Sequence, residues 1–167
     1  TQLHERFGEE WRSAYRELRE FFNYLYNAVL MEDKCIMLHG GVPSQAQSLD
    51  DVAYAHLKHP SESHLEEILW SDPQEGLNGV YPSPRGAGKL FGEDITENFL
   101  KMVSVKVLIR GHEPADEGFK INHNGKILTL FSRMGTPYFN NHAAYLQLDL
   151  REKLETAYEL KQFVTLL

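Results

Sequence analysis

Two histidines and one arginine stand where short apolar runs give way to glycine. His39 follows Cys35-Ile36-Met37-Leu38 and precedes Gly40-Gly41, and His112 closes Ile109-Arg110-Gly111-His112 after a second apolar run that begins at Val105. A neutral imidazole is a common ligand for divalent transition metals. Glycine beside it lets backbone or ligand approach closely. Arg85 sits in Ser83-Pro84-Arg85-Gly86, and its planar fork suits a phosphate or phosphoryl group. The plainer alternative for Arg85 is a surface salt bridge. These residue types define a candidate metal and oxyanion site and nothing finer.

The elements that must position them can be read from periodicity. Cys35–Leu38 and Val105–Ile109 read as buried strands, and α/β folds place chemistry at the C-terminal ends of such strands. Phe7, Trp11, Tyr15, Leu18, Phe22, Leu25 and Val29 recur at steps of three and four, which predicts one long amphipathic helix over 5–29 with this stripe facing a core. Ser48 with Asp51, Ser63 with Glu66, and Asp94 with Glu97 have capping-box spacing and predict helix starts. Residues 72–92 carry Pro73, Gly76, Gly79, Pro82, Pro84, Gly86, Gly88 and Gly92, which predicts a long structured loop. Asn124-Gly125 predicts a type I′ turn joining strands within 119–132. Residues 144–150 alternate as a further strand, and 155–167 are open between strand and helix.

Bulk properties narrow the function classes. The 167 residues suffice for one domain with a core. A net charge of −7 argues against a nucleic-acid partner, which needs a basic stripe. It leaves phosphate-ester chemistry open, because bound cations reverse local charge. No apolar stretch has the length of a membrane span, so no membrane association is expected. Cys35 is the single cysteine and reads as a buried, inert thiol, which favours a reducing, cytoplasmic location. His56, His59 and His64 read as a solvated surface, with His123 and His142 in turn and loop positions.

Five short motifs occur in order: Leu38-His39-Gly40-Gly41-Val42, Ile68-Leu69-Trp70-Ser71-Asp72-Pro73, Arg85-Gly86 with Leu90-Phe91-Gly92, Ile109-Arg110-Gly111-His112-Glu113, and Leu130-Phe131-Ser132. Together they resemble the phosphoprotein phosphatase family of metal-dependent serine/threonine phosphatases. The resemblance implies a mixed α/β (α+β) class, the calcineurin-like metallophosphoesterase fold, a four-layer αββα sandwich. It also implies two divalent metal ions, manganese, iron or zinc, bridged by a hydroxide that attacks phosphorus. His39 and His112 match two ligands of one metal, and Arg85 matches an arginine that grips the substrate phosphate. Asp72 matches a carboxylate just outside the metal ligands, or serves only as a turn residue in Asp-Pro. Tyr138 matches a tyrosine near the substrate, or only packs.

The family's Gly-Asp-x-His-Gly, Gly-Asp-x-Val-Asp-Arg-Gly and Gly-Asn-His-Glu motifs do not occur in this sequence. The chain, 1–167, is therefore expected to be the C-terminal part of a single catalytic domain. Its partners would be the missing N-terminal half and a phosphoprotein substrate. Two other readings remain open: a dinucleoside polyphosphate hydrolase of the same superfamily, and a catalytically incomplete partner-binding fragment.

Overall fold

A computed structural model describes residues 2–149 and 151–167. The chain opens with α1 (Gln2–Phe7) and, after a 3-10 turn, α2 (Trp11–Phe22), followed by the strands β1 (Ala28–Met31) and β2 (Cys35–Leu38). Three short helices come next, α3 (Leu49–Ala53), α4 (Ala55–Lys58) and α5 (His64–Trp70), then β3 (Asp72–Pro73), β4 (Val80–Pro82) and β5 (Lys89–Phe91). α6 (Glu93–Met102) leads into β6 (Val107–Arg110), β7 (Phe119–Asn122), β8 (Ile127–Leu130) and β9 (Ala144–Leu146). α7 (Ala157–Leu160) and β10 (Val164–Leu166) complete it.

The principal sheet has the order β1-β2-β6-β8-β7. β2, β6 and β8 run parallel, and β1 and β7 flank them antiparallel. Alternation along each central strand divides the core into two faces. Ile36, Leu38, Leu108 and Ile127 point to one face, where Val52, Ala55, Ile68, Phe99 and Leu100 of the helices cover them. Cys35, Val107, Ile109 and Leu128 point to the other, covered by Leu154, Ala157 and Leu160 from the C-terminal segment. Truncating a fully buried Ile36 or Leu108 to alanine removes about 2–5 kcal/mol.

Several expectations are corrected by long-range pairing. The helix predicted over 5–29 ends at Phe22, with Asn23 capping it and Gly8 (φ 53°) interrupting it near its start. Leu25 and Val29 lie outside it, because Ala28–Met31 pairs with β2 through a tight turn at Asp33 (φ 58°). The stripe is not core-facing: α2 buries none of its residues, and Tyr15, Leu18 and Phe22 are exposed. Among the described residues no α2 side chain is buried. Residues 72–92 are not merely a loop but hold a small sheet of order β3-β5-β4.

Capping is mixed. The Ser48–Asp51 box forms as expected. At Ser63 the hydroxyl instead donates to Glu67 (2.5 Å), while Glu66 accepts from the Gly88 N–H (2.9 Å). Asp94 accepts from the Gly79 N–H (3.0 Å), so Gly92 is left as the N-cap of α6. The type I′ turn is present, with Asn124 and Gly125 at φ 51° and 83° and Lys126 N–H bonded to His123 (3.1 Å). The strand predicted over 144–150 stops at Leu146, and Leu150 lies outside the described residues. The ambiguous tail is both: α7, then β10 pairing antiparallel with β9.

Candidate active site

Parallel pairing of β2 with β6 in the register Met37↔Ile109 sets the C-terminal ends of the two strands side by side. His39 leaves the first strand and His112 follows the second, and the Gly111 N–H bonds back to the His39 carbonyl (3.1 Å). The two imidazole rings meet edge to face, with centroids 5.2 Å apart. Gly40 makes this turn feasible. A Cβ there would lie 2.7 Å from the Leu69 backbone, because the Gly40 N–H bonds to the Ile68 carbonyl at the end of α5 (2.7 Å).

His112 adopts φ 72°, a left-handed conformation that costs a non-glycine residue about 1–2 kcal/mol. Such backbone strain clusters at functional sites. Trp70 packs edge-on against its ring (5.6 Å). Arg85 reaches its Nε2 at 3.1 Å. A guanidinium only donates, so Nε2 is the accepting nitrogen and the imidazole proton sits on Nδ1. Burial does most to push His112 below its ordinary pKa. Asp72 pulls it up, whereas Arg110, His39 and Arg85 push it down. Burial and then Arg110 lower His39 in the same way. Both shifts favour the neutral ring, and the accepting nitrogen of His112 is engaged by Arg85.

Asp72 is buried on β3 and joins the arginines. Its carboxylate lies 2.8 Å from Arg110 Nη2 and 3.5 Å from Arg85 Nη1, the latter on a side chain 43% exposed. Arg85 thus forms the salt bridge expected of it and also reaches His112, while remaining partly open to solvent. Asp72 thus pairs with two arginines as well as forming the Asp-Pro step. Tyr138 is not brought to this cluster by any contact among the described residues. Its ring packs on Phe131 (5.0 Å) and beside the Arg133 guanidinium (5.7 Å).

Two groups escaped sequence reasoning. Arg110 ends an otherwise fully buried strand and is itself buried. A charge terminating an apolar run was the available signal. Glu67, also buried, accepts from Ser44 N–H (2.8 Å) and Lys89 (2.9 Å) beneath the loop after His39. The remaining histidines divide. His56 and His59 are exposed as expected, but His64 is buried and bonded to Glu62 (2.9 Å). His123 is fully buried, hydrogen-bonded to Thr96 (2.7 Å). Asp51, Glu62 and His64 bring possible ligand atoms within 4.8 Å of one another. The Lys58 ammonium already pairs with both carboxylates of that group, at 2.6 Å from Asp51 and 3.5 Å from Glu62. Cys35 is buried, and burial raises its thiol to about 11, so it is inert.

Parallel strands thus bring paired imidazoles beside an arginine–aspartate cluster. The calcineurin-like phosphoesterase family model matches residues 2–116, and the chain belongs to that family. Serine/threonine-protein phosphatase 5 of Arabidopsis thaliana is 40% identical over 116 residues, covering 68% of this chain and 21% of that protein. A probable serine/threonine-protein phosphatase of Encephalitozoon cuniculi is 34% identical over 124 residues, covering 72% of this chain and 26% of that protein. Among solved structures, a protein serine/threonine phosphatase from Saccharomyces cerevisiae with similarity to human phosphatase PP5 superposes with a TM-score of 0.63 at 30% identity, over 84% of this chain and 47% of that one. The chain thus has the calcineurin-like mixed α/β fold and spans about a fifth to a half of the length of these relatives. Membership of this family implies divalent metal ions. Among the described residues no helix is long and apolar enough to cross a membrane.

Proposed function

We propose that the intact protein hydrolyses phosphoserine and phosphothreonine esters in proteins, and that this chain supplies one side of the catalytic centre. The observation that carries it is the convergence of His39, His112, Arg85 and Asp72 at one edge of the parallel sheet. The phosphatases among its relatives support the same activity. In this reading 1–167 is the C-terminal part of a single cytoplasmic metallophosphatase domain, and the remaining part of that domain is its principal partner.

The donor set fits two nitrogen ligands of one divalent ion. His112 would offer its Nε2 to the ion by giving up the hydrogen bond from Arg85, and His39 stands beside it. Imidazole suits zinc and iron, while manganese calls for carboxylates beyond this pair. Asp72 is already committed to two arginines, so the other ligands and the second ion are assigned outside this chain. Bound ions supply Lewis acidity toward water and the phosphoryl oxygens. Arg85 binds those oxygens and neutralises charge that grows toward the transition state. Asp72 holds Arg85 at the site and Trp70 restrains the His112 ring. The proton for the departing seryl or threonyl oxygen comes from a group outside this chain.

The test is turnover by the intact protein, supplied with manganese, on a phosphopeptide and on a dinucleoside tetraphosphate. Phosphopeptide hydrolysis is expected, with loss of activity in His112→Ala and none in the isolated 167-residue chain. Preference for the tetraphosphate, or full activity in His112→Ala, overturns the reading.

A further inference from the structure

Arg110 is buried where four segments of chain meet, and each of its five N–H groups has an acceptor. Nε donates to the Gly40 carbonyl, one residue after His39. Nη1 donates to Glu113 (2.6 Å) and to the Thr129 hydroxyl on β8 (3.4 Å). Nη2 donates to Asp72 on β3 (2.8 Å) and to the Ser71 carbonyl (3.4 Å). The acceptors therefore flank His39 on one side, bracket His112 between Arg110 and Glu113, and include the carboxylate that holds Arg85.

We infer that Arg110 is the positioning residue of this site: a single rigid guanidinium fixes His39 against His112 and Asp72 against both. It touches neither imidazole and is placed to contact no substrate. Its effect passes through Gly40, Asp72 and the strained backbone at His112. Burying a cation is costly unless its charge and all its donors are satisfied. Two carboxylates, two carbonyls and one hydroxyl meet that condition. The planar fork spaces these acceptors as no other side chain can. Lysine offers three donors from one atom and leaves at least two acceptors unmet. The consequence for metal affinity rests on the ligand assignment proposed above, whereas the consequence for ring geometry does not.

The experiment uses the isotope-labelled intact protein in three forms: parent, Arg110→Lys, and the double variant Arg110→Met with Asp72→Asn, which removes both partners of the buried pair. Nuclear Overhauser contacts between the ring protons of His39 and His112 report their mutual placement, and zinc titration reports its use. The parent is expected to show the ring contacts. Both variants are expected to keep dispersed amide spectra but lose those contacts and bind zinc about 10- to 100-fold more weakly, the range for groups that orient metal-ligating histidines. Retention of the ring contacts in a folded variant, or their absence in the parent, overturns the inference. Unfolding of both variants also overturns it, since Arg110 would then be a folding element alone. If the ring contacts respond as expected while His112→Ala leaves zinc affinity unchanged, the ligand assignment fails and the positioning role stands.

Discussion

The buried Glu67 carboxylate and the Lys89 ammonium meet at 2.9 Å, joining α5 to β5 directly beneath the loop that follows His39. The same carboxylate accepts from Ser44 N–H and the Ser63 hydroxyl, and the Glu67 backbone carbonyl receives the Gly41 N–H (3.3 Å). Burial pulls its pKa upward, but the hydrogen bonds from Ser44, Ser63 and Lys89 outweigh it and hold the group below the ordinary glutamate value. This one side chain ties the His39 loop to the small sheet that carries Asp72.

Glu67→Ala should therefore lower stability by about 3 kcal/mol in urea unfolding, because it strands a partly buried ammonium and two donors. Glu67→Gln should lose less, since it keeps an acceptor. An unchanged unfolding midpoint in the alanine variant would show that the network is not needed.

Gly40 and Gly111 flank the same pair of histidines but should respond oppositely to alanine. A Cβ at Gly40 meets Leu69 and Trp70 backbone atoms at 2.7 to 2.9 Å, and backbone cannot step aside cheaply. Gly40→Ala should cost about 1–3 kcal/mol. At Gly111 the nearest atom is 3.7 Å away, so Gly111→Ala should stay within about 0.5 kcal/mol of the parent. Thermal or urea melts of the two variants decide this.

His123 predicts a pH dependence. Burial pushes it below its ordinary value, against smaller upward pulls from Gln74, Glu75 and Glu93. A base whose folded pKa is depressed is neutral in the fold and takes a proton first when unfolded. Its contribution is complete above the unfolded value of about 6.5 and declines as pH falls below it, by at most about 1.4 kcal/mol per pH unit. His123→Asn should flatten part of that decline between pH 6.5 and 5. An equally steep decline in the variant would assign it to other groups.

Arg85→Lys should separate phosphate recognition from folding. Arg85 is half-exposed, so stability should change by no more than about 0.5 kcal/mol. A lysine cannot grip two phosphoryl oxygens with one planar fork. Inhibition of the intact protein by inorganic phosphate should weaken about tenfold, and equal inhibition would remove Arg85 from the phosphate-binding role.

The side of α2 and the segment after it leave Phe22, Tyr24, Leu25, Tyr26 and Val29 exposed, along an open groove of about 940 Å³ that reaches Leu38 and His39. Apolar patches of this kind drive association. The isolated chain should self-associate at micromolar concentration by light scattering, and Phe22→Ser with Tyr26→Ser should reduce it. A monodisperse monomer in the parent would contradict this.

Sequence alone determined the strand Cys35–Leu38, a second strand read as 105–109 and observed at Val107–Arg110, the Asn124-Gly125 turn, the mixed α/β class and the family, because these rest on local periodicity, turn chemistry and short ordered motifs. It also singled out His39, His112 and Arg85 by residue type and neighbouring glycine, and Asp72 by the motif resemblance. Tertiary structure decided what lies far apart along the chain. Pairing with β2 turned the end of the expected long helix into a strand, and the stripe expected in a core is left exposed, with no α2 side chain buried among the described residues. His64 looked like a surface residue and His123 like a turn residue, and both are buried, since their partners Glu62, Thr96 and Gln74 are fixed by packing and loop geometry. Arg110 was visible as a letter in a motif. Its five acceptors come from segments up to 70 residues away, and only the folded sheet brings them to one guanidinium.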